Sequence, residues 1–299
     1  MEVDVAGVEL RSPAMLASGV LGSTAASLNR VLDAGAGGVV TKSVGPRPRE
    51  GHPGPNVYTE DGYALNAVGL SNPSVDYVDE ARDVEGPLVV SVYGSTADEF
   101  AELADAFGSV ADALELNVSC PHAEGYGTDI GADPVLTREV TEAAVDAADV
   151  PVWTKLTPNV TDVAEIGRAA ERGGASAVTA VNTLAALAVD VESQRPILGN
   201  VHGGLSGSAL KPVGVRCVWE LYEALSIPVV GVGGVSTVDD AVEYVLAGAS
   251  AVQIGTAAKD GLDVFERVDR GVEDYLDRHG LTYGEAVGLA HERAGEAGA

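Results

Sequence analysis

Cys120 stands where an apolar run stops, in ALELNVSCPH (113 to 122), with Asn117, Ser119 and His122 beside it. A thiol with an ordinary pKa of about 8.5 can act as a nucleophile or as a general base, and a nearby lysine or backbone dipole favours its thiolate. A hydrolase-type nucleophile needs a paired histidine; His122 is two residues on, and that offset in an extended segment puts both on one face. Other polar side chains end apolar runs in the same way: Ser18, Lys42 with Ser43, Lys155, and Asn182 with Thr183. Any one of these could snorkel to solvent or cap a helix, but their recurrence at run after run points to one shared site. The lysines carry extra weight, because the 18 basic residues include only four lysines, Lys42, Lys155, Lys211 and Lys259, and two of them sit at ends of buried runs. Two further runs end in glycine, Gly231-Val-Gly233-Gly234 and Gly255-Thr256. Glycine lets backbone N–H groups come close to a phosphate, and Gly207 in the stretch GGLSG could add another.

The elements that must carry these residues are eight short apolar runs: AMLAS (14 to 18), GVVTK (38 to 42), LVVSVY (88 to 93), ALELNVS (113 to 119), VWTKLTP (152 to 158), AVTAVNT (177 to 183), PVVGVGG (228 to 234) and AVQIGTA (251 to 257). Near-continuous apolarity is the pattern of parallel strands buried on both faces. The segments between them, such as ADEFAELADAFGSV and VDDAVEYVLAGA, have helical spacing and mostly end at glycine. Strand–helix alternation of this kind predicts a (β/α)8 TIM barrel, with a doubly wound open sheet as the lesser alternative. Residues 1–299 are expected to form one barrel domain. Three stretches, 43 to 76, 120 to 134 and 184 to 211, are rich in Gly, Pro and Asn and follow strands, which places long irregular loops on the C-terminal face where barrel enzymes keep their active sites. The last forty or so residues predict two amphipathic helices, DVFERVDRGVEDYLDRHG and TYGEAVGLAHERAG.

Composition narrows the partners. A formal charge of −27 spread along the chain repels nucleic acid and anionic membranes, and is expected of a halophilic protein whose acidic coat is screened by a salty cytoplasm. No apolar run approaches the roughly 18 residues of a membrane span, so the expected location is cytoplasmic. The two cysteines, Cys120 and Cys217, offer neither a disulfide framework nor the clustered spacing of a metal site. Cys217, in VGVRCVWELYEAL, reads as a small buried apolar residue.

Eight motifs then occur in order: TKS (41 to 43), LNAVGLSNP (65 to 73), ELNVSCPH (115 to 122), KLTPN (155 to 159), AVNT (180 to 183), GGLSGSALKP (203 to 212), GVGG (231 to 234) and QIGTA (253 to 257). Together they resemble the motifs of class 1 dihydroorotate dehydrogenases over nearly the whole chain. The resemblance implies an FMN-binding (β/α)8 barrel that oxidises dihydroorotate to orotate in pyrimidine (UMP) synthesis. It implies that Cys120 is the base taking a proton from C5 while hydride leaves C6 for the flavin, with Lys42 beside it; class 2 enzymes have serine at that place. Lys42, Asn66, Val68, Gly69, Leu70, Asn117, Asn182 and Thr183 match positions holding the substrate or the adjoining flavin edge. Ser18, Lys42, Ser43, Asn117, Lys155, Val181, Gly207, Gly233, Gly234, Gly255 and Thr256 match FMN contacts, with the glycine pairs at the phosphate. His122 departs from the many class 1 members that carry Asn there, and SCPH also occurs in dihydropyrimidine dehydrogenases, which reduce uracil and thymine on the same barrel. That activity is the alternative; a flavin-free phosphate-binding barrel and an inactive scaffold subunit are the rivals outside it. The pattern is closer to class 1B than to the fumarate-reducing class 1A, which implies a homodimer and a second, electron-transfer subunit with FAD and an iron–sulfur cluster to reach NAD.

Overall fold

The computed structural model describes residues 1–19, 21–118 and 130–296, the side chains of 295 and 296 excepted. Eight parallel strands close into a barrel in sequence order: β1 (Ala14–Leu16), β2 (Val39–Val40), β3 (Leu88–Val92), β4 (Ala113–Asn117), β5 (Val152–Leu156), β6 (Ala177–Ala180), β7 (Val229–Val232) and β8 (Ala249–Ile254). Each arises from one of the eight apolar runs. Between and after them run α1 (Ala25–Asp33), α2 (Tyr77–Ala81), α3 (Ala97–Phe107), α4 (Pro134–Ala147), α5 (Val163–Arg172), α6 (Lys211–Ala224), α7 (Val238–Leu246) and α8 (Asp263–His279). The helices start where the sequence supplies a capping oxygen: Thr24, Thr96, Asp162 and Thr237 each accept a bond from the backbone N–H three residues on. α8 ends at Gly280 in the left-handed conformation (φ +65°).

Because the strands are covered on both faces, their period of two sorts residues between the helix layer and the barrel interior. In β4, Leu114 and Leu116 pack outward with the helices, whereas Ala113 joins an inner cluster with Met15, Val40, Val89, Trp153, Ala177, Val230 and Ala251. An antiparallel hairpin, Val3–Val5 with Val8–Leu10, plugs this lower end through Val5, Val8 and Leu10. Two residues further along the same strands the interior turns polar: Ser91, Glu115, Lys155, Thr179 and Gln253 are all buried. The ligand end of the barrel therefore rests on a layer of hydrogen-bonding side chains.

Two of the three stretches expected to be irregular contain regular structure. Tyr63–Asn66 and Val57–Glu60 from the first, and Leu184–Ala186 and Gly203–Ser206 from the third, form one four-stranded antiparallel sheet. Gly204 pairs with Asn66 and Leu205 with Leu65, so the sheet joins the excursions after β2 and β6. Leu65, Ala67 and Leu198 give it a small core of its own, packed by Tyr58, Tyr63 and Leu205. Alternation over only four residues, amid Gly and Pro, is too short to read as strand from sequence. The second C-terminal helix also differs from expectation, because it is broken into two pieces, α9 (Tyr283–Ala286) and α10 (Leu289–Glu296). Gly288 separates them at φ +75°, where a Cβ would run into the Tyr222 ring.

Candidate active site

A cavity of about 840 Å³ lies between the C-terminal ends of the barrel strands and the four-stranded sheet. Every described residue that the motifs single out lines it: Ser18, Lys42, Ser43, Asn66, Val68, Gly69, Leu70, Asn117, Lys155, Val181, Asn182, Thr183, Gly207, Gly233, Gly234, Gly255 and Thr256. Cys120 and His122 lie outside the described residues.

The floor is built around Lys155. Its Nζ donates to Ser18 Oγ at 3.1 Å, Glu115 Oε1 at 3.1 Å and Gln253 Oε1 at 3.3 Å. The other carboxylate oxygen of Glu115 accepts from Thr179 Oγ1 at 3.0 Å and Gln253 Nε2 at 2.8 Å. Ammonium and carboxylate are only 4 % and 0 % exposed, so the pair holds a charge that burial alone would forbid. Sequence reading finds Lys155 but misses Glu115, Thr179 and Gln253. The available signal is a carboxylate two residues before Asn117 in an otherwise apolar strand.

Above this layer runs a row of polar side chains from neighbouring strand ends. Ser43 Oγ meets Ser91 Oγ at 2.9 Å, Asn117 Nδ2 donates to Ser43 Oγ at 3.1 Å, and Asn182 Nδ2 donates to Asn117 Oδ1 at 3.2 Å. Thr183 N donates to Asn182 Oδ1 at 2.8 Å, and Asn66 Nδ2 to the Gly204 carbonyl at 3.3 Å. Each amide is thus oriented before any ligand arrives. Burial holds the Lys42 ammonium below the usual lysine range. The Gly69–Leu70 turn is left-handed at both residues, φ +75° and +57°. Asn72 pins it: Nδ2 donates to the Leu70 carbonyl at 2.7 Å and to Tyr93 Oη at 2.6 Å, while Oδ1 accepts from Gly45 N at 3.1 Å and Ser74 N at 2.8 Å. Asn72 lies within the motif LNAVGLSNP, where the sequence by itself gives it no role.

At the other end Gly207, Gly233 and Gly234 have φ of +91°, +124° and +77°. A Cβ on Gly234 would lie 2.8 Å from the Gly207 carbonyl and 2.9 Å from Lys211 N, so only glycine leaves the backbone open there. The loop is fastened from below. Lys211 Nζ reaches Asp240 Oδ1 at 2.8 Å and Glu243 Oε2 at 2.7 Å, and these two carboxylates push its pKa up to about 12. Burial works to raise the Asp240 pKa, but hydrogen bonds from Lys211, Thr237 and Ser236 outweigh it and hold it at about 2. Thr256 Oγ1 donates to Ser206 Oγ at 2.9 Å, tying the end of β8 to the covering sheet. Ser236, Lys259 and Asp260 also line the cavity and were not among the expected residues. Cys217 is fully buried in α6, as its sequence context predicts.

The dihydroorotate dehydrogenase family model matches residues 1–276. The chain belongs to the dihydroorotate dehydrogenase family. It is 52 % identical over 296 residues to dihydroorotate dehydrogenase B (NAD(+)), catalytic subunit, of Methanosarcina mazei, covering 96 % of this chain and 94 % of that one. It is 51 % identical to the protein of the same description from Methanocella arvoryzae (95 % and 96 % covered) and 49 % to that of Methanothermobacter thermautotrophicus (98 % and 99 %). The crystal structure of a dihydroorotate dehydrogenase from Eimeria tenella in complex with ferulenol superposes with a TM-score of 0.85 over 97 % of this chain and 88 % of that one; at 24 % identity this shows the shared barrel. Dihydroorotate dehydrogenases are FMN-dependent oxidoreductases, and the cavity of this chain fits that group. Its volume is within the range of about 300–1,000 Å³ usual for such sites. The positive-φ glycines give a backbone cradle that a Cβ would fill, and apolar walls at Leu21, Val57 and Val181 stand beside the amides and Lys155. No helix among the described residues is long and apolar enough to cross a membrane.

Proposed function

We propose that the chain is the catalytic subunit of a class 1B dihydroorotate dehydrogenase, oxidising dihydroorotate to orotate in pyrimidine synthesis, and that the residues converging on the cavity bind substrate and FMN. The observation that carries this reading is the arrival at one cavity, from seven of the eight strand ends and from both covering excursions, of every described residue expected to contact substrate or FMN. FMN, when bound, supplies the two-electron acceptor for oxidation of the carbon–carbon bond.

The chain's own residues do the rest. Asn66, Asn117 and Asn182 present both donors and acceptors, which suits a planar ring with amide edges and a carboxylate. Their hydrogen bonds fix those groups in advance, so orientation is not lost on each binding event. Burial makes the Lys42 ammonium readier than one in water to take a bound anion as its partner. Lys155 holds a cation at the floor, and Glu115 keeps it there before any ligand enters. Gly207, Gly233, Gly234 and Gly255 hold the phosphate end through backbone N–H groups. Cys120 Sγ, outside the described residues, takes the C5 proton in this reading.

The curated relatives are catalytic subunits whose names carry NAD(+). On that basis we infer that electrons leave this chain to a separate subunit with FAD and an iron–sulfur cluster, and that the pair works in the cytoplasm, where NAD(+) is at hand. The test is anaerobic mixing of the purified chain with dihydroorotate while the flavin absorbance is followed. Bleaching is expected; colourless protein, or bleaching by dihydrouracil alone, rejects the reading. Cys120→Ala is expected to keep its flavin while reduction slows at least about a hundredfold, the scale for losing a general base.

A further inference from the structure

Four lysines face 45 acidic residues in this chain, and three of the four line one cavity. Lys42, Lys155 and Lys259 line it, and Lys211 packs its backbone N and Cβ against Gly234. Their partners divide them. Lys155 is committed to Glu115, and Lys211 to Asp240 and Glu243. Among the described residues no carboxylate lies within ion-pair distance of Lys42 or Lys259. Lys42 is on the ring-binding side, at the end of β2. Lys259 has no such assignment.

Its position is specific. Lys259 closes a single 3-10 turn, Thr256–Lys259, that follows β8 directly. Side chains three apart eclipse in such a turn, so Lys259 stands on the side of Thr256, whose hydroxyl is bonded to Ser206 at the cavity edge. The strand it follows is paired with β7, Val232 opposite Gln253, so the turn leaves the barrel beside the Gly233–Gly234 loop, and Ser236, Asp260 and Gly255 line the same cavity. An incidental surface cation is the simpler account, but elsewhere this chain meets its exposed carboxylates with arginine: Arg138, Arg168, Arg216, Arg267 and Arg270. A lysine left without a carboxylate partner, in so acidic a molecule, and on this wall, is placed for an anion that comes from outside.

We propose that Lys259 is the side-chain cation that recognises the cofactor's phosphate, so that this chain selects a phosphorylated flavin by charge as well as by backbone N–H groups. The proposal rests on the FMN reading above. An ammonium on a flexible stem is a point charge that needs no fixed fork geometry. It also offsets, locally, the repulsion that a net charge of −27 imposes on an incoming dianion.

The test compares FMN and riboflavin, which differ only in the phosphate, binding to the full-length apoprotein as wild type, Lys259→Ala and Lys259→Arg. Dissociation constants come from quenching of flavin fluorescence at low and at high salt. Lys259→Ala is expected to weaken FMN about tenfold at low salt, the scale of one lost hydrogen bond to a charged group, while leaving riboflavin within about twofold. The FMN loss shrinks as salt rises, Lys259→Arg restores most of it, and inorganic phosphate competes with FMN better on wild type than on Lys259→Ala. Equal weakening of both flavins, or an unchanged FMN-to-riboflavin ratio, overturns the role of Lys259 while leaving FMN binding intact. A wild type that binds neither flavin overturns the FMN reading and this proposal with it.

Discussion

The Lys155–Glu115 pair under the cavity gives the sharpest quantitative prediction. Glu115→Leu removes the acceptor of three hydrogen bonds, from Lys155, Thr179 and Gln253, and leaves a buried ammonium with Ser18 Oγ and Gln253 Oε1 as its acceptors. Breaking a buried pair from one side costs about 3–5 kcal/mol, and with both ions almost wholly buried the expected loss is about 4 kcal/mol. Lys155→Met leaves a buried carboxylate and is expected to cost a similar amount. The double variant Glu115→Leu, Lys155→Met removes both charges together, and replacement of a buried pair by apolar residues of similar volume is near neutral. It should therefore fall within about 2 kcal/mol of wild type, the remainder coming from the stranded donors of Thr179 and Gln253. The assay is urea unfolding of the apoprotein at one fixed salt concentration, because Lys155 is also expected to contact the cofactor. Single variants that each lose less than about 1 kcal/mol, or a double variant whose loss equals the sum of the singles, refute the reasoning.

Three other outcomes follow from the same structure. Gly234→Ala places a Cβ 2.8 Å from the Gly207 carbonyl at φ +77°, and backbone strain of about 1–3 kcal/mol in that loop is expected to leave the purified protein folded but largely free of flavin; a normal flavin-to-protein absorbance ratio rejects this. Asp240 is held at about 2, below its ordinary 3.8, so its contribution to stability is present above the ordinary value and is lost as pH falls through the folded one. Asp240→Asn should therefore destabilise at neutral pH by more than it does at about pH 3, as read by urea melts; a gap that does not narrow on acidification rejects the assignment. The charge of −27 predicts a melting temperature that climbs as potassium chloride rises from about 0.1 to about 2 M, and a melting point indifferent to salt rejects adaptation to a salty interior.

What could be read in the sequence, and what could not, follows from how far each cost extends along the chain. A strand buried on both faces must be apolar throughout, so eight such runs sufficed for the barrel, and Lys42, Asn117 or Lys155 at a run's end stood out because burial of a polar group needs a reason. Glu115 has the same cost but sits inside a run, where the apolar residues on either side read as plain core and give no sign of its partners. Its partners are 40, 64 and 138 residues away, on three other strands, and only closure of the barrel brings them together. The covering sheet failed for the same reason: Asn66 and Gly204 are 138 residues apart, and each of their strands is too short to announce itself. Gly288 is the opposite case, a local break that helical periodicity on either side conceals until Tyr222 is seen to fill the space. The buried layer also explains why the site's charge was legible while its neutraliser was not. Lys155 reaches the cavity from one residue short of the end of its strand, but the carboxylate that makes its burial tolerable lies deeper, within the part of the barrel that looks from sequence like plain core. A residue of that kind is found only by asking, for each buried cation, where its opposite charge is kept.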